Sequence, residues 1–447
     1  MSPARMLRRR APSLLFALTA LVMGLAPGRT AALADDIPTC DGSSPTWTQP
    51  IRLGAGTGYE PGIEVDSAGT IFVTAHKTFP AGAGVYESSD DRMQSWLFRS
   101  IDGGKTFTSV NDDIGPLAGQ SKHIYGDEGD LAVDAQDHLY FADTWAVDDM
   151  FYRFSNHGAT LDLFRPVVPT YEVDDRPWLA AHGNGFVYYM SNTGYKQDGR
   201  LTVHRSTDGG QTFDPIGYTL PESGWGTLEA DPNSSFVYAF TNDDFYPFPG
   251  GFLNGPTTRE TIYISPDRGL TWTSVKVADV PSNNDGGVDY PQVTVSPLDG
   301  TVYTLWSDGP TLNLGISKDH GQTWSVEDVT PFAGSYDSAT LTAGPRGEVG
   351  IGFRHGTNMY ATIWRPTSDC LRVAGDPTSL CTGPSSVTSK VESESAPDQV
   401  DFFQVKFSPT DNALNIPYEN TPGQLKFVRQ AAGANMTGTP TCGYKRF

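Results

Sequence analysis

Apolar and polar positions alternate along this chain in short runs, and Gly, Pro, Asn and Asp interrupt the runs at close intervals. Thr70-Ile-Phe-Val73, Leu201-Thr-Val-His-Arg205 and Thr301-Val-Tyr-Thr-Leu-Trp306 are representative. A period of two puts successive side chains on opposite faces of a strand, so the pattern predicts β-strands with few helical runs. The strands come in units. Each opens on acidic or polar residues, continues as an alternating strand, turns at Asp or Gly, and returns as an aromatic-rich strand. Glu60 to Val73, Glu128 to Phe141 and Asp175 to Tyr189 are the first three. Divergent copies run from Thr227 to Phe240, Asp289 to Trp306, Asp337 to Gly352 and Asp398 to Ile416, which makes seven.

An octet comes after this strand pair in many units. Ser206-Thr-Asp-Gly-Gly-Gln-Thr-Phe213 shares the frame Ser-x-Asp-x-Gly-x-Thr-aromatic with Ser100 to Phe107, Ser265 to Trp272 and Ser317 to Trp324. A worn copy, Phe154 to Leu161, keeps the glycine and threonine. The five copies start 54, 52, 59 and 52 positions apart. A period of this size marks one supersecondary unit per repeat. The octet has the chemistry of a hairpin turn: Ser and Asp side chains bind nearby backbone N–H groups, and Gly accepts a positive φ. Each unit then reads as two inner strands, a third entering the octet and a fourth leaving it. The last two units have no octet. Trp47 to Leu53 resembles a strand that follows an octet but has none before it, and the last unit offers a third strand at Leu425 to Val428 without a fourth. The N-terminal strand is therefore expected to complete the last unit.

These octets resemble the Asp-boxes, or BNR repeats, of sialidase-like β-propellers. The resemblance implies an all-β propeller of four-stranded blades, here seven, or six if the Ser/Thr/Glu-rich stretch Cys370 to Pro397 is an appendage. It also implies activity on glycans, and sialidases use three arginines, a Tyr–Glu nucleophile pair and an Asp acid/base. Their Arg-Ile-Pro motif is not matched here, because Arg52 is followed by Leu53-Gly54. In a four-stranded blade the octets mark one face. Candidate chemistry belongs to the other, where loops enter the first strand and join the second to the third.

Composition sharpens this picture. Gly (48), Pro (33) and aromatic residues (11%) are those of an all-β chain. Arg5 and Arg8-Arg9-Arg10, an apolar run from Leu14 to Ala26 and Ala32-Leu33-Ala34 read as a secretory signal cleaved after residue 34. The propeller domain is then 35–447, secreted, with no membrane span and expected to be a monomer. Loss of the five signal arginines takes the formal charge from −21 to about −26, which excludes nucleic acid as a partner. An even cysteine count in an exported chain predicts two disulfides, read as Cys370–Cys381 and a terminal clamp Cys40–Cys442.

Acids gather where the first strands begin, and converging carboxylates raise one another's pKa, as general acids require. Asp130, Asp175 and Asp337 are the candidate acid/base residues, with Tyr290 and Tyr336 as nucleophiles if a carboxylate adjoins them. Glu60, Asp127, Glu128, Arg176 and Arg354 are candidate substrate contacts. The long loop from Asn242 to Glu260 carries Phe245, Tyr246 and Phe248, aromatics suited to stacking on sugar rings. No cofactor is required by this chemistry, although a ring of carboxylate oxygens could also hold Ca²⁺. An extracellular glycan or glycoconjugate is the expected partner. The function expected is glycoside hydrolysis, or glycan or protein binding without turnover.

Overall fold

The computed structural model describes residues 45–54, 58, 60–76, 95–110, 129–145, 148–167, 174–193, 200–243, 258–280, 291–334, 336, 338–366, 385–393, 402–419 and 424–431. All lie in the compact unit Pro38–Phe447. The strands form seven separate four-stranded antiparallel sheets. In six of them the strand order across the sheet is the order in the chain. The innermost strands are Gly62–Val65, Gly129–Val133, Asp174–His182, Gly226–Ala230, Gln292–Val295, Ala339–Ala343 and Lys406–Phe407. Each contacts the next, and the last contacts the first, so the sheets are the blades of a closed propeller.

The seventh blade is built from both ends of the domain, as the sequence predicts. Its outer strand is Ile51–Arg52, paired with Leu425–Arg429 at Ile51↔Phe427 and Arg52↔Lys426. Trp47 and Gln430 form a further bridge, and the Trp47 indole N–H donates to Ser389 Oγ in blade six at 3.1 Å. Blade count is thus seven. Part of the stretch that the six-blade alternative treats as an appendage, Ser385–Ser393, is instead the outer strand of blade six, paired along Asn358–Arg365. Its alternation is nearly all Ser, Thr and charged residues, because an outer strand has solvent on its free edge. All four cysteines lie outside the described residues, so the two expected disulfides fall there as well.

Alternation within the blades directs the burial. Seven hydrophobic cores are found among the described residues, one between each pair of adjacent blades. Phe72, Leu97, Leu131 and Phe141 join blades one and two, and Phe240, Ile262, Val293 and Val302 join four and five. Leu53, Ile63, Leu425 and Phe427 close the ring between seven and one.

The octets set the turn between third and outer strands in blades one, three, four and five. In each, the Ser hydroxyl donates to the Asp and accepts the glycine N–H, and the Asp accepts the Thr N–H and hydroxyl. In blade three, for example, Ser206 Oγ donates to Asp208 Oδ1 at 2.8 Å and accepts Gly210 N–H at 2.9 Å, and Thr212 Oγ1 donates to Asp208 Oδ2 at 2.7 Å. Burial pushes the Asp102 carboxyl upward, yet hydrogen bonds from Thr106 and Ser100 outweigh it and hold the group down to about 2. Exposed Asp319 reaches about 2 through bonds from Thr323 and Ser317. The octet glycine has a second duty. A Cβ on Gly210 (φ 79) would lie 1.9 Å from Phe151 of the preceding blade, so the turn doubles as an inter-blade contact. In the worn copy of blade two, Asn156 stands for the Asp and His157 Nδ1 reaches Asp66 of blade one at 2.7 Å.

Candidate functional site

The octets lie on one face of the ring. The loop face is the opposite one, formed by the starts of inner strands and the links from second to third strands. Between them runs the axial channel, and its wall is built in layers two residues apart on the inner strands. One layer holds Gly62, Asp130, Trp178, Thr227, Gln292, Thr340 and Gln404. The next, toward the octet face, includes Glu64, Glu229, Thr294, Thr342 and Lys406. They enclose a cavity of about 50 Å³, room for a few waters but not for a sugar ring.

The first layer explains Asp130. An inner strand has an unpaired edge, and its free N–H groups need acceptors. Asp130 Oδ2 accepts the Leu179 N–H of blade three at 2.7 Å, and its Oδ1 accepts Gln404 Nε2–H at 2.9 Å. Gln404 Oε1 accepts Ile63 N–H and Thr227 Oγ1 accepts Val293 N–H, each reaching to the next blade. Asp130 is 3% exposed and ties three blades together. The Trp178 ring of this layer meets Phe402 of blade seven edge-on, with centroids 4.8 Å apart.

The second layer is charged and escaped the sequence reading. Lys406 of blade seven donates to Glu64 of blade one at 2.7 Å, and Glu229 of blade four faces the same lysine. Glu229 is half-buried, but its exposure is to the channel, whose walls keep bulk water away. That desolvation, only partly offset by Lys406 and aggravated by Glu64, raises its pKa to about 7. Burial lowers the affinity of Lys406 for its proton, yet Glu64 and Glu229 raise it further, so the ammonium stays charged. Aligning the units on their first strands puts Glu64, Glu229 and Lys406 at one position. That register was the available signal.

On the loop face, Glu60 (φ 49) is buried beside His76, with Oε2 and Nε2 3.2 Å apart. Asp143 of blade two accepts the N–H and hydroxyl of Ser95 in blade one, and Asp149 accepts the Tyr189 hydroxyl of blade three. Tyr336 is fully buried; its hydroxyl donates to Phe332 O and accepts Phe332 N–H, and burial pushes it up to about 12. Arg354 is half-buried and its N–H donates to Ser338 O. Asp127, Glu128, Tyr290, Asp337, Phe245, Tyr246 and Phe248 lie outside the described residues, and Asp175 and Arg176 are described by their backbone alone, at a bulge before Trp178.

Blade four brings together residues that the sequence reading treated only as the ends of a loop. Asp243 is fixed by Thr258 N–H at 2.7 Å, the Thr258 hydroxyl and Arg259 N–H at 2.9 Å. Next to it Glu260 is 3% exposed, and its Oε2 has no hydrogen-bond partner among the described residues. Burial, reinforced by the Asp243 charge, pushes the Glu260 carboxyl well above the usual carboxylate range. Burial favours the protonated form of Glu260, while Asp243 accepts three hydrogen bonds from Thr258 and Arg259. Among the described residues no three His, Cys, Asp or Glu side chains gather to hold a metal ion, and no helix is long and apolar enough to cross a membrane.

No family model matches the sequence, and no curated protein matches it. Among solved structures, the chain is similar to an α-L-arabinanase of Penicillium chrysogenum complexed with arabinobiose, at 12% identity and a TM-score of 0.43 over 86% of this chain and 98% of that one. It is also similar to a Dyadobacter fermentans protein of unknown function, at 14% identity and a TM-score of 0.46 over 86% and 98% of the two chains. The NanB sialidase from Streptococcus pneumoniae is similar at 13% identity and a TM-score of 0.41, over 87% of this chain and 71% of the sialidase.

Proposed function

We propose that this chain is an exported, monomeric glycan-processing propeller that hydrolyses glycosidic bonds on its loop face without a cofactor. The observation that carries the reading is the pair Asp243–Glu260, two neighbouring carboxyls of which one is buried and pushed toward its protonated form and the other accepts three hydrogen bonds. Glycoside hydrolysis needs this division: an acid that protonates the leaving oxygen and a carboxylate that assists attack at the anomeric carbon. Glu260 would give its proton to the glycosidic oxygen as the C–O bond breaks. Asp243 would take a proton from the water that adds to the sugar. Asp130, with both oxygens engaged in linking blades, is assigned a structural role in this reading, and Asp175 and Asp337 are kept as comparison positions.

The test is a screen of the purified protein on neutral aryl glycosides and an aryl sialoside. Glu260→Gln is expected to lower kcat by about 10²–10⁴-fold on the substrate found. Asp243→Asn should lower it as well, whereas Asp175→Asn and Asp337→Asn should retain most of it. Wild-type turnover in both Glu260→Gln and Asp243→Asn would overturn the assignment. Binding without turnover is the second reading, favoured by the burial of Glu260; glycan binding with no hydrolysis of any substrate in the screen would establish it.

A further inference from the structure

The octet face carries a pair of cations at the seam between blades three and four. Phe186 opens the second strand of blade three, and its half-buried ring packs against the core that joins the two blades. Arg205, on the third strand of blade three, is paired with Tyr188, and its Cζ lies 5.7 Å from the Phe186 ring centroid. Arg268 belongs to the octet of blade four and is exposed, with its Cζ 4.7 Å from the same centroid. Two guanidinium groups from neighbouring blades thus converge on one aromatic ring. The turn fixes the second of them. Arg268 has a left-handed backbone (φ 61), and its N–H donates to Ser235 O of the same blade at 2.9 Å. Gly269 then packs on blade three: a Cβ there would lie 3.0 Å from the Tyr188 ring and 3.2 Å from Arg205 Cδ.

Packing alone does not account for the two charges. The same octet position in blade five is His320, stacked on Phe236 with centroids 4.2 Å apart, so a single imidazole suffices to cap the equivalent ring. The arginine ion pairs found among the described residues are Arg259–Glu222 and Arg429–Asp411, and neither Arg205 nor Arg268 takes part in them. Arg205 Nε is buried with no hydrogen-bond partner among the described residues. Arg205 also leans toward the Tyr188 hydroxyl, whose buried oxygen nevertheless has no partner of good geometry. Asp267, the adjoining octet acid, accepts from Ser265, Leu270 and Thr271 and so serves its own turn. In a chain of formal charge −21, these two cations stand at one seam without an ion-paired acid.

We propose that Arg205 and Arg268 form an oxyanion site on the octet face that takes a doubly charged sulfate or phosphate group, free or as an ester. Guanidinium groups present planar forks of N–H donors that match the oxygens of such groups. The Phe186 ring holds both cations by its π face, and an anion between them offsets their mutual repulsion. A monocarboxylate carries half the charge and binds more weakly. Binding draws on one side chain from each blade, so it also ties blade three to blade four. The site is independent of the glycan reading of the loop face, which lies at the other end of the ring.

The experiment follows arginine Nε–H resonances by NMR during titration with sodium sulfate, sodium phosphate and an O-sulfated disaccharide. Sodium acetate is the control, and ionic strength is held constant because exposed charges are screened by salt. Wild-type protein is compared with Arg268→Gln, Arg268→Lys, Arg205→Gln and Arg346→Gln, the last an exposed arginine on the same face in blade six. Saturable shifts of the Arg205 resonance are expected in the wild type with sulfate and phosphate. Arg268→Gln should weaken binding at least tenfold, Arg268→Lys should recover part of it, and Arg346→Gln should leave it unchanged. Arg205 packs within the seam, so Arg268→Gln, which alters an exposed side chain, decides the matter if Arg205→Gln fails to fold. A disaccharide bound at least tenfold more tightly than free sulfate would identify the ligand as a sulfate ester, and equal affinities would identify the free ion. Shifts that do not saturate, an equal response to acetate, or wild-type affinity in Arg268→Gln would overturn the site.

Discussion

Glu229 shows how far a single side chain can depart from what its place in a sequence conveys. In the run Thr227-Leu-Glu-Ala230 it reads as a polar position of an alternating strand, hence a solvated one. In the ring it points along the axial channel toward Lys406 and Glu64, where burial raises its pKa to about 7. The linkage sign follows. The folded protein holds this proton more tightly than the unfolded chain, whose glutamate titrates near 4.5, so stability from this group is greatest below about pH 4.5. It declines as the pH rises and is lost above about pH 7. Solvent in the channel screens part of the effect, leaving a change on the order of 1–2 kcal/mol. Denaturant unfolding at pH 5 and pH 8.5 should show Glu229→Gln flattening this decline and exceeding the wild type in stability at the higher pH. An identical pH dependence in both proteins would refute the account.

At the scale of the element, the octet was the most legible part of the chain, because its spacing is set by local hydrogen bonds rather than distant packing. Ser, Asp and Thr side chains satisfy the turn's own backbone, so the frame persists wherever the turn is needed. The sequence could not say that the glycine is also an inter-blade surface, since Phe151 lies in a different unit. Comparing glycines separates the two duties. Gly210→Ala should cost about 3 kcal/mol or more, from the left-handed backbone and the collision with Phe151 together. A Cβ on Gly183 (φ 53) would meet nothing within 4 Å, so Gly183→Ala should cost only the backbone part, about 1–2 kcal/mol. Equal losses in chemical denaturation would show that the blade contact adds nothing. The candidate site is the opposite case. Asp243 and Glu260 stand at opposite ends of a long loop and come together only through the pairing of Asn242 with Glu260, which no local pattern announces.

For the whole molecule, the decisive feature is closure. Seven sheets held by seven inter-blade cores have no weakest blade except the one assembled from both chain ends, where Ile51–Arg52 must find Leu425–Arg429. The seven-fold count and this exchange were readable from the chain, because an unpartnered strand at one end matched a missing strand at the other. The channel layers were not, since they exist only after closure brings Lys406 beside Glu64. Closure also sets the order of failure. Thr48 N–H donates to Arg429 O, Leu53 N–H to Leu425 O and Ala431 N–H to Thr46 O, so the N-terminal segment covers an edge that would otherwise be open. An open edge frays and recruits other strands. Removal of residues 1–53 should therefore lower Tm, expose the 385–431 region to protease before any other blade, and promote self-association on gel filtration. A synthetic peptide spanning residues 45–54, added in trans, should reverse part of each effect by repairing the sheet. Uniform proteolysis around the ring, or a truncated protein as stable as the full chain, would mean that the inter-blade cores alone hold the propeller shut.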